Sequence, residues 1–310
     1  MKYCFGVDIG GTTVKIGMFD EKGTILDKWE IVTRKENEGV NILPDIAKAI
    51  DKKLLEKGID KADVLGIGVG IPAPVTPEGI VNGSANLGWK YKEVVKEFKE
   101  LTGLKVLTGN DANVAALGEM WKGSGKGAKN MVMVTLGTGV GGGIIVDGKI
   151  LTGSNGAGGE IGHLCVNKDE SDKCGCGNKG CLEQYASATG IAKLATKKLA
   201  NDTRITSLPK ENITAKDVFD KVKEGDEVAI EIAKEFGDYI GLGLSIVCAI
   251  LDPTVIVIGG GVSKAGEVLL DYVREGFEKY VFFANKNVEF KLASLGNDAG
   301  MCGCAKMILD

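Results

Sequence analysis

The chain has 310 residues, 44% of them hydrophobic and 26% charged, with a formal net charge of −4. That length and apolar content suit two globular domains, and the negative balance argues against a protein that grips nucleic acid through its phosphates. No basic stretch followed by an apolar one opens the chain, and the longest apolar run, Ile240 to Leu251, is too short for a bilayer. A cytoplasmic protein with reduced thiols and no membrane partner is therefore expected.

In chain order, YCFGVDIGG reads as a strand entering a glycine turn. TVKIGMFD and ILDKWEIV read as two more strands of a meander turned at EKG. Apolar residues at Ile42, Leu43, Ile46, Ala49, Ile50 and Leu54 recur at helical spacing and predict a helix over 42–55. VLGIGVGIPAPV is a buried strand running into a proline loop, and Lys92 to Leu101 is a short amphipathic helix stopped at Gly103. KVLTGNDAN is a strand and turn leading into a helix from about Val114 to Trp121. The opening plan then recurs in MVMVTLGTGVGGGIIVDGKILTG. At an offset of 127, Val7, Gly10, Asp20 and Lys22 match Val134, Gly137, Asp147 and Lys149, so an internal duplication is expected. Helices follow over 187–200, 215–223 and 227 to about 250. PTVIVIGGGVS is a strand and glycine turn, and a helix, a strand in VEFKLASL and a terminal helix from Ala299 close the chain.

Three glycine turns carry chemical interest. DIGGTT (Asp8 to Thr13) and LGTGVGGG (Leu136 to Gly143) each follow a buried strand. Glycine lets backbone N–H groups approach a phosphate, and an acid before the turn can hold Mg²⁺ through water. A single such turn would serve equally as a tight hairpin. Neither matches the P-loop or the dinucleotide fingerprint, whereas two related turns in a duplicated chain point to a polyphosphate clamp. IGGGVS (Ile258 to Ser263) suits a flat ligand such as adenosine. In GNDAN, Asn110 or Asp111 can cap the following helix. Asp111 can also serve as the general base that phosphoryl transfer to an alcohol requires, and the two readings are compatible.

His163, the only histidine, is followed by Cys174, Cys176 and Cys181 with the spacing H-x₁₀-C-x-C-x₄-C. Three thiolates and one imidazole complete a tetrahedral Zn²⁺ set with no open position, so the metal would fold a loop rather than do chemistry. The competing readings are a disulfide pair or free thiols. Cys4, Cys165, Cys248, Cys302 and Cys304 are expected to be buried thiols. Glu160 and Glu183 bracket the loop. Held rigid, they would suit the hydroxyls of a polyhydroxylated ligand; otherwise both would simply face solvent.

DIGGT, GNDAN, LGTGVGGGII, GEIGH and CGCGNKGCLE together resemble the motifs of the ROK family of sugar kinases and repressors, from Phe5 to the last helix. The resemblance implies an α/β, actin-like (ribonuclease H-like) duplicated fold with two domains around a cleft. The expected division is 1–115 with 298–310, and 116–297. It implies ATP-dependent phosphorylation of a hexose 6-hydroxyl, with glucose expected ahead of N-acetylmannosamine, N-acetylglucosamine, fructose or allose. By the same resemblance Asp8, Gly10, Gly11, Thr12, Thr138 and Gly139 would hold ATP phosphates and Mg²⁺, and Gly260 and Gly261 would lie near adenosine. Asp111 would be the base. Asn86, Asn110, Glu160, His163 and Glu183 would bind sugar, His163 presenting one nitrogen to zinc and the other to the ligand. A homodimer or homotetramer is expected. Ala73 departs from the glycine common at that place in similar kinases, which bears on the loop near the sugar. With the first strand read from Tyr3, the N-terminal helix-turn-helix of the family's repressors is not expected. A non-enzymatic sugar sensor and a polyphosphate-dependent kinase are the rival classes.

Overall fold

The computed structural model describes all 310 residues. The strands are β1 (Tyr3–Ile9), β2 (Thr13–Asp20), β3 (Ile25–Val32), β4 (Val64–Ile71), β5 (Ile80–Val81), β6 (Lys92–Glu93), β7 (Val106–Asn110), β8 (Met131–Leu136), β9 (Val140–Val146), β10 (Lys149–Ile150), β11 (Val255–Gly259) and β12 (Glu289–Leu292). The helices are α1 (Glu36–Gly39, a single irregular turn), α2 (Ile42–Lys57), α3 (Val94–Thr102), α4 (Asp111–Lys122), α5 (Glu183–Ala186), α6 (Ala188–Asn201), α7 (Ala215–Lys223), α8 (Glu227–Leu251), α9 (Glu267–Tyr280) and α10 (Ala299–Leu309).

The duplication read from four identities is written in full in the topology. One sheet runs β3-β2-β1-β4-β7 and the other β10-β9-β8-β11-β12. In the first, β1 pairs antiparallel with β2 and parallel with β4, which continues parallel to β7. In the second, β8 pairs parallel with β11, which continues parallel to β12, and β9 turns back antiparallel to β10. Each half is thus an antiparallel meander whose first strand is extended by two parallel strands. Local chemistry supports the elements. Central strands such as β1 and β4 are buried on both faces and read as continuous apolar runs, whereas the edge strand β3 alternates in exposure with period two. Helices α2 and α3 each stop on a left-handed glycine, Gly58 and Gly103.

Contacts divide the chain into two compact units. One comprises residues 1–127, 143–159 and 297–310, and the other 128–142 and 160–296. This differs from the expected division at three points, the smallest being Asn297, which joins the first unit. The expected boundary at 115 falls inside α4, which stays whole in the first unit because it packs along α10. The division also falls within β9, so 143–159 is grouped with the first unit. The first unit's core is built from β1, β2 and β4 against α2, through Phe5, Val7, Ile16, Met18, Ile46, Ile50, Ile67 and Val69. In the second, α8 and α9 pack closely and bury Ile232, Phe236, Ile240, Leu269 and Val273. No helix is long and apolar enough to cross a membrane.

Candidate active site

In the first unit, Asp8 stands near the end of β1, just before the turn in which Gly10 N–H donates to the Thr13 carbonyl at 2.9 Å. The Thr33 hydroxyl donates to the Gly10 carbonyl at 2.7 Å, and Thr33 N–H donates to the Thr12 carbonyl, so β3 fastens the turn from behind. Burial pushes the Asp8 carboxyl up from 3.8 to about 6, the negative charge of Asp111 adds to this, and Lys15 partly offsets it. A carboxylate that is enclosed and faces a second carboxylate is matched by a cation, which is the environment a Mg²⁺ ion or its water shell would satisfy.

Asp111 opens α4. The cap falls to its neighbour: the Asn110 side-chain oxygen accepts from Ala112 N–H at 2.9 Å and from Asn113 N–H at 3.2 Å. Asn110 Nδ2 donates in turn to the Ala73 carbonyl at 3.2 Å, tying the cap to the proline loop. Ala73 is buried and its φ is not positive, so this loop does not require glycine there. Asp111 Oδ1 accepts from Ala112 N–H at 2.8 Å, which orients the carboxylate along the helix start. Asn86 is exposed on a turn closed by Ser84 and Trp89, and an added Cβ on Gly11 would approach its carbonyl at 3.4 Å. The unit's 570 Å³ cavity follows the edge of β7 and the tip of the β9–β10 hairpin. It shares Asn110 but neither Asp8 nor Asp111, so the two acids lie outside it.

In the second unit, the Gly137 turn is pinned by its carbonyls. Ala188 N–H donates to Gly137 O at 2.8 Å, and the Thr189 hydroxyl donates to Thr138 O at 2.8 Å. Ala188 also lines a 310 Å³ cavity completed by Thr214, Ala215, Lys216, Phe219, Asp220, Val262, Lys264, Ala265 and Gly261. The third glycine turn therefore lines this cavity directly, whereas the second reaches it only through Ala188, which is bonded to Gly137; Phe219, Lys216 and Lys264 stand in its wall. Gly260, at φ +85°, packs so closely on Leu136 that any Cβ would overlap its carbonyl. Sequence reasoning missed α7 as a wall of this cavity, since no local signal relates Thr214–Phe219 to a turn nearly fifty residues later.

The cysteine cluster assembles as a compact knuckle. The ligand atoms of His163, Cys174, Cys176 and Cys181 all lie within 4.8 Å of one another. Cys176 and Cys181 Sγ are 3.6 Å apart, and Cys174 Sγ is 3.8 Å from His163 Nδ1. Bonds of about 2.3 Å at tetrahedral angles place ligand atoms roughly 3.8 Å apart, so the residues fit such an ion. Nδ1 faces the thiols while Nε2 lies 3.9 Å from Glu160 Oε2, so the two ring nitrogens face different partners. Glu160 is exposed. Glu183 Oε2 accepts from Val140 N–H at 2.9 Å, and its Oε1 is 3.7 Å from Cys174 Sγ, so it links the glycine turn to the knuckle. Cys4, Cys248, Cys302 and Cys304 are buried, but Cys165 is exposed. The segment carrying it pairs with 180–182 along the outside of the knuckle, which leaves its side chain at the surface.

The ROK family model matches residues 4–310. A glucokinase of Halalkalibacterium halodurans is 44% identical over 97% of this chain and 93% of its own. A ROK hexokinase from Thermus thermophilus, 31% identical, superposes with a TM-score of 0.83 over 98% of this chain and 96% of that one. A ROK family glucokinase from Streptomyces griseus, solved with glucose and AMPPNP, is 32% identical with a TM-score of 0.76 over 98% of both chains.

Proposed function

The chain belongs to the ROK family and carries its duplicated actin-like kinase fold, and on that premise we infer that it is an ATP-dependent sugar kinase that phosphorylates the 6-hydroxyl of glucose. The observation that carries this reading is the division of labour at the start of α4. Asn110 makes the cap, and Asp111 is oriented but relieved of that duty, with Asp8 near enough to feel its charge. Likeness over 98% of both chains to an enzyme solved with glucose and AMPPNP supports the choice of acceptor and donor.

In this reading Asn86, Asn110 and Asp111 of the first unit and Glu160, His163 and Glu183 of the second contact the sugar. Asp111 accepts the proton of the attacking hydroxyl as its oxygen bonds to the γ-phosphorus and the bond to the β-phosphate oxygen breaks. The turns at Gly10–Thr12 and Thr138–Gly139 turn backbone donors toward the phosphates, where positioning and charge stabilisation supply most of the rate. Adenosine occupies the cavity between Ala188, α7 and Gly261. Mg²⁺, when bound, would neutralise charge on the transferring phosphates, and Asp8 would be the residue that holds it. His163, Cys174, Cys176 and Cys181 would hold a Zn²⁺ ion with no open position, which would stay outside the reaction and keep His163 and Glu183 rigid.

A coupled assay of purified protein over a panel of hexoses and phosphoryl donors tests the reading. Glucose with Mg-ATP should give glucose 6-phosphate at the highest kcat/KM. A higher kcat/KM for an N-acetylated hexose, fructose or allose would move the acceptor while keeping the chemistry. Sugar binding with no transfer from any donor would overturn the kinase in favour of a sensor.

A further inference from the structure

We propose that Gly300, in the first turn of α10, is a positioning residue for phosphoryl transfer, the seat on which the Asp8 carboxylate rests. The proposal deepens the reading above and rests on its placing Asp8 at the Mg²⁺–phosphate end of the reaction. A Cβ at residue 300 would stand 2.6 Å from both Cγ and Oδ2 of Asp8 and 3.0 Å from Oδ1. No real side chain tolerates that approach, so the carboxylate keeps its place only while residue 300 is glycine. The opposite wall is set by the same helix. The Cys304 thiol donates to the Val7 carbonyl at 3.2 Å, directly before Asp8, and a Cβ on Gly70 of β4 would meet Cys304 Sγ at 3.2 Å and Asp8 Oδ1 at 3.4 Å.

Helix α10 also sets the second acid. Gly303, one turn after Gly300, lies against the backbone of α4 so closely that a Cβ would overlap the Val114 carbonyl. Gly118 of α4 meets the Ala299 carbonyl in the same manner. Since α4 begins at Asp111, the C-terminal helix is in backbone contact with both carboxylate-bearing elements of this unit and holds them in one frame. Misplacing a reacting group by about 1 Å costs on the order of 10²-fold in rate, so this packing acts on catalysis through Asp8.

The test is a double-variant cycle on the full chain. Gly300→Ala should raise KM for Mg-ATP and the Mg²⁺ needed for half-activation, and lower kcat, together on the order of 10–100-fold in kcat/KM for Mg-ATP. Glucose affinity measured by calorimetry without nucleotide should stay within about twofold of the natural chain. In an Asp8→Asn background the same methyl should add little to the kinetic defect. In an Asp8→Ala background, where the carboxylate is gone, Gly300→Ala should leave Tm unchanged, a readout that works even if the single variant folds poorly. A Tm loss that persists in the Asp8→Ala background, or kinetic losses that add in full, would show that the methyl collides elsewhere and would overturn the proposal. An Asp8→Asn enzyme with ordinary Mg-ATP kinetics would instead refute the reading of Asp8 itself.

Discussion

Asp111 and Asn110 sit side by side and should fail differently when altered. Asp111→Ala should lose on the order of 10²–10⁴-fold in kcat while keeping most of its glucose affinity, because a positioned base acts in the transition state. The helix should survive, since Asn110 holds the cap. Asn110→Ala should cost about 1 kcal/mol of stability, read in denaturant melts, because the first N–H groups of α4 lose their acceptor. Near-natural kcat in the Asp111 variant would leave that residue as a sugar contact only. Asp8 makes a prediction in pH. Burial pushes its folded carboxyl up from the ordinary 3.8 to about 6, so the folded state binds that proton more tightly than the unfolded chain. The resulting stability is full below pH 3.8 and is lost as pH rises through 6. In Mg²⁺-free buffer, Asp8→Asn should therefore gain on the natural chain between about pH 4 and 7, by about 2–3 kcal/mol in all, and stay level above that. A difference independent of pH would mean that the carboxyl is not enclosed in solution.

At the scale of elements, the knuckle and the second glycine turn share Glu183. Cys176→Ser should release the metal, shown by elemental analysis of protein purified without chelator. The loop carrying His163 should loosen, and the loss should fall on KM for sugar more than on KM for ATP. A metal-free natural enzyme with full activity would end the zinc assignment. The same geometry separates two glycines that look equivalent in the sequence. A Cβ at Gly137 finds nothing nearer than a carbonyl at 4.0 Å, whereas one at Gly139 would collide with the Glu183 carboxylate. Gly137→Val should accordingly weaken nucleotide binding alone, by obstructing approach to phosphate. Gly139→Val should weaken both ligands, and calorimetry with each separately distinguishes the two. Equal losses in both variants would point to a turn that has simply misfolded.

At the scale of the whole molecule, the proposed sugar contacts are drawn from two units of one topology. If glucose draws on Asn86, Asn110 and Asp111 as well as Glu160, His163 and Glu183, amide exchange should slow in 84–90 and 108–113 and also in 160–183 when glucose is added. A ligand at about 100 times its Kd stabilises a fold by about 2.7 kcal/mol, enough to register. Protection confined to one unit would refute the shared set of sugar contacts.

Much of this was legible in the residues because the signals are local. A glycine turn after an apolar strand, a helical period, an Asn-Asp pair before a helix and a histidine with three closely spaced cysteines each act through neighbours along the chain. Hence the strands, most helix limits and the gathering of His163 with Cys174, Cys176 and Cys181 were read directly, and the repeat of the meander followed from a few matched positions. Even there, the helix expected from Val114 begins at Asp111, because Asn110 supplies a cap that periodicity does not register. What the sequence could not express is contact between segments far apart in it. That α10 seats Asp8, that α7 walls the cavity beside Gly261, that Glu183 reaches Val140, and that α4 belongs whole to the first unit all depend on close packing. Packing is a property of surfaces brought together by folding, and no spacing along the chain encodes which glycine must make room for which carboxylate.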